Sequence, residues 1–269
     1  MRYRIDHDYH IHTRLSICSS DDGQTPDAIL QIAKSRNLRK ICLTDHFWDD
    51  KVPCDSMEKW WYDRQNFDHI AQSLPLPHDP DVAFLFGCEA DMDSEDRIGL
   101  SREKWDDFDF INVATTHFHH MSSTAWKGRS NAELARRWIE RLDALLNADL
   151  PFGKVGVAHL ACGLIHTRSR EDYLNTLDLI PQEELERLLS KAAEIGVGIE
   201  LNSDDMRYRD EEADTVLRIF RTAKGCGCKF YLGSDAHERD AFTGVDEIFE
   251  RCITALSLSE SDKFEIAKA

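Results

Sequence analysis

The chain has 269 residues, 42% apolar and 31% charged, with a formal net charge of −17. That length suits one large α/β domain spanning residues 1–269, and the acidic balance argues against long nucleic acid as a partner while leaving a small anionic substrate open. No apolar run approaches the roughly 18 residues that cross a bilayer, and the polar start MRYRIDHDYHIH is unlike a signal peptide, so a cytoplasmic setting with reduced cysteines and no membrane partner is expected.

Short apolar runs alternate with longer amphipathic segments, the rhythm of β/α units around a parallel sheet. Strands are predicted over 4–12, 40–46, 82–91, 108–117, 154–159, 197–203 and 229–237. Thr25-Pro26-Asp27 opens the first helix with a cap residue and then proline at the first turn. Further helices are predicted over 57–73, 131–147, 182–195, 211–224 and 245–256, and the interval 92–107 reads as irregular or only partly helical. Seven such units imply an α/β barrel one unit short of the eight-stranded kind. Cys226-Gly227-Cys228 is too tight for a zinc ribbon and reads as the start of a buried strand.

The polar residues fall in one place. The predicted strands end in Asp8-x-His10-x-His12, Thr44-Asp45-His46, Glu89-Ala90-Asp91, Thr115-Thr116-His117, Ala158-His159, Glu200-Leu201-Asn202 and Gly233-Ser234-Asp235-Ala236-His237. In α/β barrels the C-terminal strand ends carry the active site. Side chains alternate along a strand, so Asp8, His10 and His12 are expected on one face, as are Asp235 and His237. Imidazole and carboxylate together suit zinc, manganese or iron. Glu89 could bridge two such ions, and paired ions generate hydroxide at neutral pH. His7, His69, His78 and His166 lack this context and are left as solvated or core residues, whereas His119 and His120 follow His117 in a loop.

These motifs, in this order and spacing, resemble the PHP superfamily, named for polymerase and histidinol phosphatase. The resemblance covers the chain from Asp8 to His237. It implies a distorted (β/α)7 barrel with two or three divalent metal ions at the C-terminal mouth. It implies that His10, His12, Glu89 and Asp235 hold one ion, that Glu89, His117 and His159 hold a second, and that His46 and His237 hold a third with a residue from the first loop. There the sequence departs from the family: Cys18 stands where histidine or aspartate is usual. A thiolate ligates zinc well, and Asp21 or Asp22 are alternatives. Asp8 and Asp45 are expected to brace metal-bound imidazoles, with Asn202 beside them.

Length and layout resemble the histidinol-phosphatase branch. The implied activity is hydrolysis of a small phosphomonoester by metal-bound hydroxide, with Glu89, Asp235 and His237 in catalytic roles. Arg207, five residues beyond Asn202, and Arg168 are the candidate phosphate clamps, because a guanidinium matches phosphate bidentately. His119 is a third substrate-binding candidate. Phosphodiesterase action on small nucleotides and a non-catalytic regulatory module are the alternatives. Substrate identity and oligomeric state are not readable from these residues.

Overall fold

A computed structural model describes residues 1–54, 59–118, 128–165 and 169–267. Its strands are β1 (His7–Ile11), β2 (Lys40–Leu43), β3 (His46–Phe47), β4 (Ala83–Asp91), β5 (Phe110–Ala114), β6 (Val155–Val157), β7 (Gly198–Asn202) and β8 (Lys229–Gly233). They pair in parallel in the order β1-β2-β4-β5-β6-β7-β8, with β3 continuing the line of β2 beside β4. Closure comes just past the strand ends, where Asp235 N–H donates to the His10 carbonyl (2.7 Å) and His12 N–H to that of Ala236 (3.1 Å). The result is the expected seven-unit, nearly closed α/β barrel.

The helices are α1 (Pro26–Ser35), α2 (Lys59–Tyr62), α3 (Phe67–Ile70), α4 (Asn131–Asn147), α5 (Arg170–Asp178), α6 (Gln182–Ile195), α7 (Ala213–Cys226) and α8 (Val245–Ala255). Local chemistry sets their ends. The Thr25 hydroxyl accepts from Ala28 N–H with Pro26 at the first position, and Ser130 and Glu133 form a capping box at α4. Gly196 (φ 77°) and Gly227 (φ 89°) end α6 and α7 in the left-handed region.

Three expectations are corrected. The predicted strand 40–46 breaks at Thr44-Asp45 and resumes as β3. The predicted helix 57–73, whose first residues fall outside the described ones, is two short helices and a 3-10 turn. Asn66 divides it by capping α3 through its side chain to His69 N–H. Helix α5 had no counterpart in the sequence reading. The interval 92–107 is irregular up to a 3-10 turn at Arg102–Asp107, as expected.

The barrel interior holds Tyr9, Cys42, Phe110, Tyr231 and Phe264, while the outer strand faces pack on the helices. A Cβ at position 156 would lie 2.5 Å from the Tyr231 hydroxyl, so glycine there makes room for the plug. This aromatic floor fills the barrel below the polar strand ends, so the polar cluster sits over a dry, packed base. Among the described residues, no helix is long and apolar enough to cross a membrane.

Candidate metal centre

Strand β1 delivers the first imidazoles through an irregularity. Its register against β2 shifts between Asp8 and Ile11. Tyr9 points into the barrel, and Ile11 packs outward on Ile29, Leu30 and Ala33 of α1. His10 also points inward, to Asn112 and Glu200. Asp8 is therefore on the outer face, where it accepts from Ser234 N–H (2.9 Å) and Arg36 Nη1 (3.0 Å). The expectation that Asp8 shares a face with His10 and His12 and braces an imidazole is corrected: a bulge reverses the alternation. Asp8 braces the backbone of the β8 end instead.

His10 and His12 converge with their Nε2 atoms 3.0 Å apart. Each Nε2 also faces Glu89 Oε2 (3.5 and 3.4 Å) and Asp235 Oδ1 (3.3 and 3.1 Å). On its other oxygen Glu89 meets His159 Nε2 at 2.8 Å and His117 Nε2 at 3.7 Å. His46 presents Nδ1 to Glu89 Oε2 at 3.0 Å, and His237 stacks on His12 with ring centroids 3.9 Å apart. Six imidazoles thus surround a carboxylate and its neighbours, all but His237 buried.

The far nitrogens explain the arrangement. His10 Nδ1 lies 2.8 Å from Glu200 Oε1, and His117 Nδ1 lies 2.7 Å from Asp91 Oδ1. A carboxylate only accepts, so both Nδ1 atoms carry the proton. His12 Nδ1 meets Ser16 Oγ (2.8 Å), whose hydrogen goes to Asp45. His159 Nδ1 meets Thr116 Oγ1 (2.7 Å), whose hydrogen goes to its own residue-159 carbonyl. Those hydroxyls are acceptors for the rings. His237 Nδ1 donates to the Asp235 carbonyl (2.8 Å). Five imidazoles therefore turn an Nε2 lone pair to the centre. Two such lone pairs at 3.0 Å repel unless a cation lies between them. Glu89 Oε2, Asp91 Oδ2 and His46 Nδ1 are also buried without a hydrogen-bond partner. The residues present fit divalent metal ions. Groups within ligating reach are His10, His12 and Glu89; Glu89, His117 and His159; His12, His46 and His237; and His46, Asp91 and His117.

Charge follows from the same contacts. Burial opposes protonation of His10, but Asp235, Glu200 and Glu89 outweigh it and raise its pKa well above the ordinary value. Burial, with His237 and His46 nearby, holds His12 well below it. Desolvation works against ionising the Cys18 thiol, yet His46 and His237 bring it down to about 7. Cys18 lines a cavity of about 250 Å³ with His46, Trp61, Glu89, His117, Leu164, Asp235 and His237.

Other predicted residues fall as follows. Asp45 braces His12 through Ser16 and also holds the Thr13 N–H and hydroxyl, rather than bracing its neighbour His46. Asn202 donates to Asp235 Oδ2 at 3.3 Å. Arg207 is exposed on the β7 loop, paired with Asp204 at 3.1 Å, and does not line the cavity. Asp21 is held by Arg239. Arg168, His119 and His120 lie outside the described residues. The sequence reading assigned no role to Asp91, Glu200, Asn112 or Ser16. For Asp91 and Glu200 a signal existed, since each lies two residues along a strand from a residue already singled out.

A family model for the PHP domain matches residues 8–204. A curated "Probable phosphatase" of Caldicellulosiruptor saccharolyticus is 22% identical over 239 residues, 85% of this chain and 78% of that protein. The histidinol phosphate phosphatase of Lactococcus lactis, solved with zinc, L-histidinol and phosphate, superposes with a TM-score of 0.58 at 14% identity. That match covers 97% of this chain and 98% of the other. A structure from Listeria monocytogenes, also named for a histidinol phosphatase, gives 0.56 at 13% identity, covering 88% and 97%.

Proposed function

The chain belongs to the PHP domain family, and we propose that within it the protein hydrolyses a small phosphomonoester of the histidinol phosphate kind. The observation that carries this reading is the convergence of four Nε2 lone pairs, those of His10, His12, His117 and His159, on the Glu89 carboxylate. His10, His12, Glu89 and Asp235 would hold one ion, and Glu89, His117 and His159 a second. His46, His237 and Cys18 would hold a third. Bound divalent ions supply charge neutralisation for a phosphoryl group and a nucleophile at neutral pH.

The chain's own groups would do the rest. Glu89 splits its two oxygens between two sets of imidazoles and so fixes their separation. Asp235, its side chain 19% exposed at the cavity, accepts a proton from an incoming water. His237 is the exposed imidazole of the set. Its Nδ1–H is held by the Asp235 carbonyl, so its Nε2 would serve the third ion, and only with that ion absent would it carry a proton for the leaving alkoxide. Trp61 and Leu164 form the apolar part of the wall. Arg207 would reach a phosphate only by releasing Asp204.

Purified protein loaded with zinc, manganese or iron is expected to release phosphate from a monoester panel that includes L-histidinol phosphate. His10→Ala, Glu89→Ala and Asp235→Ala are each expected to lower the rate at least ~100-fold, since losing even an outer-shell partner of a metal ligand costs about 10–100-fold. No phosphate release from any monoester, or full activity in all three variants, refutes the reading.

A further inference from the structure

Glu200 is fully buried at the end of β7, and among the described residues its ion-pair partner is His10. Among the described residues no lysine or arginine pairs with it. Its two oxygens go to two different metal-centre strands. Oε1 accepts from His10 Nδ1–H at 2.8 Å, and Oε2 accepts from the His159 backbone N–H at 2.6 Å. His159 has φ 28°, a positive value uncommon for a residue other than glycine. An acceptor fixed at its N–H holds it there.

A second observation is independent of these bonds. Gly233 on β8 lies directly beneath the carboxylate. A Cβ there would sit 1.8 Å from Glu200 Oε1 and 2.7 Å from His10 Cβ. Its φ is not in the left-handed region, so the backbone conformation does not demand glycine at this position. The space does: glycine lets the Glu200 carboxylate reach His10 across the barrel.

We infer that Glu200 is a positioning residue that sets two metal ligands at once, and that Gly233 is glycine to admit it. Oε1 keeps His10 protonated on Nδ1, which leaves Nε2 as the ligand atom. Oε2 fixes the backbone from which the His159 ring projects. Asn112 Nδ2 also approaches His10 Nδ1, at 2.8 Å, and as a sole partner would favour the opposite tautomer. Glu200 decides the matter, because a carboxylate cannot donate. The inference rests on the proposed metal centre but not on the phosphatase reaction.

Glutamine at 200 has one acceptor and one donor end. It can serve His10 or the His159 N–H, not both. Glu200→Gln is therefore expected to weaken zinc affinity, read by chelator competition, by roughly 10–100-fold. Gly233→Ala leaves Glu200 in the chain but displaces it, and is expected to weaken zinc to a similar degree. The double variant should be little worse than either single one, because both remove the same contact. In zinc-loaded wild-type protein with ¹⁵N-labelled histidine, His10 should appear protonated on Nδ1 by NMR. Unchanged zinc affinity in Glu200→Gln, additive losses in the double variant, or His10 protonated on Nε2 in the wild type would each overturn the inference. The wild-type spectrum decides even if a variant fails to fold. Zinc binding without phosphate release would sink the phosphatase reading alone.

Discussion

Arg141 of α4 is fully buried, and its guanidinium ties down two loops through three carbonyls. Nη1 donates to the Asp93 carbonyl (2.7 Å), Nη2 to that of Met92 (3.0 Å), and Nε to that of Thr115. These carbonyls follow β4 and β5, just beyond Asp91 and just before His117. Burial and then Arg137 lower the Arg141 pKa to about 10, so it stays charged at neutral pH. Arg141→Ala strands the Met92 and Thr115 carbonyls and leaves that of Asp93 with only a 3.3 Å bond from Asp96 N–H. Each stranded group costs about 1–3 kcal/mol, but water entering the space offsets part of this, so we take roughly 4 kcal/mol in all, within the ~3–5 kcal/mol seen when a buried charged partner is removed. At ~2.1 cal/mol/K per residue, 269 residues give an unfolding entropy of roughly 0.56 kcal/mol/K. The expected fall in Tm is then about 7 °C by calorimetry on metal-free protein. Arg141→Met keeps the apolar stem but none of the donors and should recover little. Arg141→Lys should recover about a third, since one ammonium cannot reach three carbonyls in this fan. A fall below ~2 °C for the alanine variant, or full recovery by lysine, would refute the claim that donor geometry at these loops carries the stability.

Asp91→Asn keeps the shape of the acceptor but removes its charge from His117 Nδ1, so zinc affinity should drop roughly 10–100-fold while Tm of the metal-free protein moves little; equal affinity in a competition assay would count against the bracing role. Glu212 is buried between Arg170 and Arg209, and the Arg170 bond chiefly brings its pKa down to about 2. A depressed carboxylate stabilises fully above its ordinary pKa, and the effect is lost as pH falls from about 4.5 through 2. Both arginines are substantially exposed, so the contribution is discounted to about 1 kcal/mol. Urea denaturation should show Glu212→Gln weaker than wild type at pH 6, with the gap narrowing below pH 4.5; a gap that stayed constant to pH 3 would contradict the assignment. Gly87→Ala would place a Cβ 2.4 Å from the Phe110 carbonyl and 3.1 Å from that of Leu43, both backbone, so a loss of at least about 1–3 kcal/mol is expected, read as lowered Tm or yield.

The strand ends were legible because the signal is local: an apolar run that stops at histidine or carboxylate needs no tertiary information. Helix α5 was not, since Arg170–Asp178 is short and mostly polar, with Tyr173, Thr176 and Leu177 alone buried. Its cap, Ser169 accepting from Asp172 N–H, is a signal of the same kind as Thr25. The imidazoles of the cluster were legible for the same local reason, but their Nδ1 partners were not. Glu200 braces His10 from 190 residues away, and Asp91 braces His117 from 26. Which carboxylate meets which ring is decided by strand order, not by spacing. Asp8 shows the converse failure, where a spacing rule was available and a bulge broke it.

Charge counting links the two levels. Glu89, Asp91, Glu200 and Asp235 bring four carboxylates into a nearly dry site, and among the described residues their ion-pair partners are imidazoles alone. With every ring neutral, four negative charges would sit over an aromatic floor, which is prohibitively costly without compensation. Protons are one remedy: against burial, neighbouring anions raise the pKa of His10 and His46, and Cys162 and Glu89 raise that of His159. But the Nδ1–H bonds already commit His10, His12, His117, His159 and His237 to present Nε2 as a donor pair, and a second proton on each would set cations 3.0 Å apart at His10 and His12. Divalent ions satisfy both demands at once. Two of them match four carboxylates, and among the described residues lining the cavity the Cys18 thiol, drawn down by His46 and His237, is the further group that a third would call on.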